Sequence, residues 1–252
     1  MYKTKPCFRC SMPSDTPLSV LALNASLKHE PTLSNTGELA SLVLEEIRAL
    51  AQVSVQVVRL SDATLPVGLG FREAAEDDWP DLVTKIAHIC LMGGAAGEGN
   101  ITPSAEFNAW VDPEAADLVY RSGVPVTMIG LDVTHKAILW DAEREAMAAA
   151  GGGTTKLMCR LLGFYQGFHR RVYGWDGGPI HDAVAVAHVA HPGLVTTVRA
   201  NVVVELSGEF TRGRTVVDLR TVTGREPNAE VGMDIDRERF VGIVRDAFAA
   251  FD

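Results

Sequence analysis

Two stretches gather the side chains that could do chemistry. Residues 90–114 read CLMGGAAGEGNITPSAEFNAWVDPE, and residues 173–189 read YGWDGGPIHDAVAVAHV. In the first, Asn100, Glu106 and Asn108 supply amides and a carboxylate, which can donate to and accept from the hydroxyls of a sugar. In the second, His181 is an imidazole able to pass a proton, since the unperturbed ring titrates near neutral pH. Asp182 beside it is a carboxylate, able to bind a metal. A plainer role stands next to each. Asn and Glu also form turns and caps ahead of a helix, and a His-Asp pair can be a cap with a surface histidine beside it.

The elements that must position these residues follow from pattern. Residues 88–92 read as a strand ending in Gly93-Gly94. Asp112 caps a helix, Pro113 suits its first turn and Glu114 complements its dipole; the helix ends near Gly123. Residues 124–129 form a strand, and 141–150 a helix stopped by Gly151-Gly152-Gly153. Residues 154–173 mix helix formers with aromatics, and 181–189 form a helix that ends before Pro192. Residues 195–206 and 214–222 read as strands, and 236–251 as an amphipathic terminal helix. Upstream, 1–17 is a disordered leader and 18–23 a strand. Leu39, Leu42, Val43, Ile47 and Leu50 recur at helical spacing across 37–50. Residues 53–60 are a β-branched strand, 61–78 a long loop, and 80–88 a short helix. Strands alternating with helices imply α/β layering on a largely parallel sheet.

Composition narrows the partners. The chain has 252 residues and a net charge of -9, which points away from nucleic acid or an anionic membrane surface. No apolar run reaches the roughly 18 residues that span a bilayer. The reading is a cytoplasmic protein. Cys7 and Cys10 have the spacing of a zinc or redox pair, but zinc needs two further ligands and no second CxxC or HxxxH is present. Cys90 and Cys159 read as buried thiols.

The strings LMGG, GNITPSAEFN and PIHDAVAVAHV resemble the nucleoside hydrolase family, the inosine/uridine-preferring ribohydrolases, from near His88 to the C-terminus. The resemblance implies hydrolysis of the N-ribosidic bond of a ribonucleoside to ribose and free base. The small-molecule partner is then a nucleoside, and a homo-oligomer is expected. Carried over by position, Asn100, Glu106 and Asn108 bind the ribose and Met92 lies beside it. His181 stands near the leaving base, and Asp182 ligates Ca²⁺, the expected cofactor. Phe164, Tyr165, Phe168, Tyr173 and Trp175 lie where the family closes aromatics over the base, and aromatics on a helix also build cores. His169 and His188 read as residues on helix faces.

The start of the chain departs from that family. Its Asp-x-Asp-Pro-Gly-x-Asp-Asp loop, which supplies most of the calcium carboxylates, has no counterpart here; the first strand runs into Asn24-Ala25-Ser26. The acidic run Glu76-Asp77-Asp78 reads as a solvated helix cap. Residues 18–87 instead resemble the opening strand–helix–strand of flavodoxin-like FMN reductases, with LALNASLK and SNT in place of a phosphate loop. The loops that would cradle a flavin ring are missing, so FMN is not expected to bind. The expected organisation is a leader (1–17), a flavodoxin-like partial unit (18–87) and a nucleoside hydrolase C-terminal portion (88–252). The foreign unit would fill the edge of a shared parallel sheet. The implied activity is impaired by the incomplete calcium site. The alternatives are a non-catalytic nucleoside- or ribose-binding remnant and a flavin-binding reductase fragment.

Overall fold

Strands form where β-branched residues concentrate, and the parallel ones carry apolar residues on both faces. The structure, a computed structural model, describes residues 18–24, 41, 44, 45, 53–59 and 86–252. The chain divides into two compact units, Met1–Gly68 with Arg72–Lys85, and Leu69–Phe71 with Ile86–Asp252.

In the first unit, β1 (Leu18–Asn24) and β2 (Val53–Arg59) pair in parallel, Leu18 opposite Val53 and Asn24 opposite Arg59. Ser41, Leu44 and Glu45, the described residues of the expected 37–50 helix, are helical. β1 and β2 make a two-stranded sheet. The leader, Cys7 and Cys10, the loop after β1 and the acidic run at 76–78 lie outside the described residues. Residues 86–88, the expected end of a short helix, have no regular structure.

The second unit is built on a five-stranded sheet. Its strands are β3 (Ile89–Met92), β4 (Val126–Ile129), β7 (Val195–Val204), β8 (Thr215–Asp218) and β9 (Ala229–Ile235), in the order β3-β4-β9-β7-β8. β3, β4 and β9 are parallel, β7 runs against β9, and β8 runs against β7. Four strands thus share one direction, a mixed but mostly parallel sheet. β9 sits at its centre, although the pattern did not mark it. Its AEVGMDI carries two acids and a glycine, which depress strand propensity, and neighbours on both sides override that. A small ribbon, β5 (Ile138–Trp140) against β6 (Gly177–Pro179), was also unmarked, because Gly-Gly-Pro has no strand signature.

The helices cover both faces. They are α1 (Phe107–Val111), α2 (Pro113–Arg121), α3 (Leu131–Thr134), α4 (Asp141–Ala150), α5 (Gly153–Tyr173), α6 (His181–Ala190) and α7 (Arg237–Ala250). Asp112 caps α2 as expected, accepting from Ala115 N at 3.0 Å, with Pro113 in the first turn. Ile129 and Val195 pack with Val184 of α6 and Phe240 of α7. Met128, Val202 and Val231 pack with Tyr120 of α2 on the other face. Neighbouring Met128 and Ile129 joining opposite clusters is the strand's two-residue period at work. Among the described residues no helix is long and apolar enough to cross a membrane.

Phe240 is fully buried, whereas Phe251 is 69% exposed. Phe240→Ala is expected to lower unfolding free energy by about 3–5 kcal/mol, and Phe251→Ala by under about 1 kcal/mol. Urea titration of both variants checks this.

Candidate active site

The first sugar-binding candidates lie where β3 stops. Met92 and Ile129 are opposite one another at the ends of parallel β3 and β4, the end of an α/β sheet where ligands bind. Beyond them the chain is strapped down. Gly94 has a φ of +74°, and a Cβ there would sit 2.8 Å from Thr215, so only glycine fits. The Thr215 hydroxyl accepts from Ala95 N and donates to Ala95 O, both at 2.8 Å. Asp132 of α3 accepts from Ala96 N at 2.7 Å and Gly97 N at 3.1 Å. Leu131 N donates to Gly94 O at 3.0 Å, lacing the loop after β4 to the loop after β3.

Glu106 is the centre of this loop. It is 3% exposed and caps α1, accepting from Asn108 N at 2.9 Å and Ala109 N at 3.3 Å. It also accepts from Gly94 N at 2.8 Å. Asn100 Oδ1 accepts from Phe107 N at 2.9 Å. Asn108 Nδ2 lies 3.3 Å from Met92 O and 3.4 Å from Met92 Sδ. Met92, Asn100, Glu106 and Asn108 therefore form one contiguous group. The capping role is real for Glu106 and Asn100; among the described residues the exposed Asn100 Nδ2 and Asn108 Oδ1 have no protein partner and can meet a ligand.

The second motif opens α6. His181 Nδ1 lies 2.8 Å from the buried Thr134 hydroxyl, at the end of α3. Asp182 is exposed in the first turn. Burial, helped by His135 and His169, holds the His181 imidazole down to about 4. The expectation of a near-neutral histidine is corrected on that ground: desolvation disfavours the cation, and the ring is neutral at pH 7. The His135 ring meets His181 edge-on at 5.8 Å and Trp175 at 5.5 Å. Trp175 stacks with Tyr173 at 4.9 Å and with His169 at 6.2 Å. Tyr165 donates to Pro179 O at 2.9 Å, and its phenol is pushed up to about 12 by burial, then by Asp182 and Tyr173.

The surroundings of several helix residues go beyond what helical spacing specified. His169 is buried between Tyr165, Phe168, Tyr173 and Trp175, not on an open helix face. His188 is half-buried with Nδ1 unpartnered. Phe164 and Phe168 are exposed on α5. Asp132, Thr134, His135 and Thr215 went unmarked. The one available signal was Asp132-Val133-Thr134-His135 following a strand and Gly130, in the position of a strand-end loop. No hydrogen bond joins the Glu106 group to His181 or Asp182 among the described residues. Met92 is the link: it touches Asn108 and packs on the cluster containing Ile129 and Val184, with Ile180 and Ala183 beside it.

Residues 73–242 match the family profile of inosine-uridine preferring nucleoside hydrolases. The chain belongs to that family. The nucleoside hydrolase match begins before His88, where the motif resemblance starts. The pyrimidine-specific ribonucleoside hydrolase RihA of Salmonella schwarzengrund is 48% identical over 166 residues, 66% of this chain and 53% of that protein. RihA of Salmonella enteritidis is 39% identical over 242 residues, 95% of this chain and 76% of that protein, a span that reaches into the N-terminal block. Against several of these curated relatives the chain spans about half their length. A purine-preferring ribonucleoside hydrolase from Gardnerella vaginalis superimposes with a TM-score of 0.61 at 34% identity, over 68% of this chain and 54% of that one. A plant nucleoside hydrolase, 18% identical, has a TM-score of 0.65 over 93% of this chain and 100% of its own, which establishes the shared fold.

Two outcomes follow for this nucleoside hydrolase site. Gly94→Ala should destabilise the fold by about 1–3 kcal/mol, since it combines a left-handed backbone with a clash against Thr215; a thermal melt reads it. The folded state keeps His181 neutral down to about pH 4, while the unfolded chain protonates it near 6.5. Its contribution is therefore present above pH 6.5 and is lost as pH falls through 4. His181→Asn should make the loss of stability between pH 7 and 4.5 shallower by about 1–3 kcal/mol, read from urea midpoints at stepped pH. An unchanged slope would mean the imidazole is solvated.

Proposed function

We propose that the chain hydrolyses the N-ribosidic bond of ribonucleosides, releasing ribose and the free base, with weak activity. The observation that carries this is the Glu106-centred group at the ends of β3 and β4, linked through Met92 to the helix that begins with His181. The ribose is held by Asn100, Glu106 and Asn108, with Met92 against it, and amides and carboxylate together match a diol that both donates and accepts. His181 faces the base. As a neutral ring it serves as a hydrogen-bond donor to negative charge growing on the departing base, in the manner of other neutral catalytic histidines. Pyrimidine ribonucleosides are the substrates proposed first, because the RihA relatives carry that specificity in their names. A soluble cytoplasmic homo-oligomer completes the reading.

Calcium, implied by the family, fits the described residues poorly. Asp182 is the carboxylate available to it, and no group of three or more His, Cys, Asp or Glu gathers among the described residues. Ca²⁺ takes six to eight oxygens, so one carboxylate leaves its desolvation largely uncompensated. Weak metal binding and impaired turnover follow. The flavodoxin-like reading of residues 18–87 adds no flavin chemistry to this proposal.

The test is ribose release by the full chain from uridine, cytidine and inosine across a calcium titration. Activity should rise only at calcium near ~0.1–1 mM, and Asp182→Ala should remove that dependence. Asn108→Ala should lower kcat/KM by about 10–100-fold. Nucleoside binding without ribose release at any calcium concentration would replace the enzyme with a nucleoside-binding remnant. Micromolar calcium affinity with fast turnover would mean that other residues complete the metal site and that the protein is unimpaired.

A further inference from the structure

The hydroxyl of Thr134 has one hydrogen-bond partner among the described residues, His181 Nδ1 at 2.8 Å. Thr134 is fully buried. A buried hydroxyl keeps its proton in a hydrogen bond, because leaving a donor unpaired away from water is costly. The residue sits in α3, yet its hydroxyl does not turn back onto the preceding helical carbonyl; Thr134 N takes Gly130 O instead. If His181 Nδ1 carried a proton and donated it, the threonine proton would have no acceptor. The arrangement in which every proton is used has Thr134 donating and Nδ1 accepting. A neutral imidazole carries one N–H, so that proton stands on Nε2. His181 Nε2 has no protein partner among the described residues and is not sealed from solvent.

We propose that Thr134 is a positioning residue: its buried hydroxyl, donating to His181 Nδ1, holds the ring in the Nε2–H form and so presents an N–H to the leaving base. The proposal rests on the reading above that His181 stands beside that base. When the N-ribosidic bond breaks, its electron pair goes to the base. The Nε2–H donates a hydrogen bond to that charge, and water supplies the hydroxyl to ribose and the proton to the base. With Nδ1–H instead, Nε2 would present a lone pair to a lone pair. His135 meets the ring edge-on from the side at 5.8 Å.

The experiment has two arms. Long-range proton–nitrogen spectra of the full chain, ¹⁵N-labelled at histidine, are recorded at neutral pH, with His181 assigned by its loss in His181→Asn. The expected pattern is a neutral ring protonated at Nε2 in the wild type and in Thr134→Ser, and a mixed or Nδ1–H ring in Thr134→Val. An Nδ1–H or doubly protonated ring in the wild type, or a Thr134→Val ring that stays wholly Nε2–H, overturns the proposal. If Thr134→Val does not fold, the wild-type spectrum still decides. In the second arm, Thr134→Val should lower kcat on uridine by about tenfold or more with KM little changed, and Thr134→Ser should restore it. A p-nitrophenyl riboside, whose leaving group is a stable anion, should be cleaved equally by all three. Equal losses on both substrates would reduce Thr134 to a packing role and overturn the proposal. A wild type that releases no ribose defeats the functional reading alone, and the spectrum decides the tautomer independently.

Discussion

The site depends on one buried carboxyl group. The Glu106 side chain lies inside the unit, has no cationic partner among the described residues, and is held by backbone N–H groups from Gly94, Asn108 and Ala109. Hydrogen bonds of this kind are directional, and burying a carboxyl group is costly unless several donors surround it. The consequence is geometric. One side chain pins the exit of β3 to the start of α1, which fixes where Asn100 and Asn108 emerge and keeps Asn108 against Met92. Thr215 and Asp132 hold the same loop from β8 and α3. The loop is thereby built on rigid neighbours, and a ligand bound there would meet a loop that needs little ordering.

The other half of the site rests on burial. α6 begins at His181, and its first buried residues pack on β3 and β4 through Val184 and Ala185. The imidazole is held between Thr134 and His135, where desolvation keeps it neutral. Gln166 anchors α5, donating to Leu139 O at 2.8 Å and accepting from Arg144 at 2.7 Å. A neutral imidazole can sit in a small buried space where an imidazolium would need a compensating carboxylate. This division of labour suits a reaction in which charge develops at both ends of one breaking bond.

Much of the layering was legible in the sequence. Asp112-Pro113-Glu114 announced α2 with its cap, and Gly151-Gly152-Gly153 marked the break between α4 and α5. His181 was marked as the start of α6. Residues whose identity follows from local chemistry were the legible ones. β9 was not, because its strand character comes from β4 and β7 on either side. His169 was placed on a helix face, but spacing does not tell which neighbour covers that face; β6 and Trp175 do so here. Thr134 and His135 carry no motif of their own, and their part emerges only when α3 and α6 are brought together. The sequence marked the candidate residues and expected them in one cleft; the hydrogen bonds that gather them as a Glu106 group and a His181 group were beyond what spacing can tell.

That both groups serve one ligand is most directly tested by titrating uridine into ¹⁵N-labelled full-length protein. The signals to follow are the Gly94 amide, the Asn108 side-chain amide and the His181 ring. All three should shift together along one saturation curve, with a common dissociation constant. Shifts confined to Gly94 and Asn108 while His181 stays unmoved at saturation would contradict a single nucleoside site.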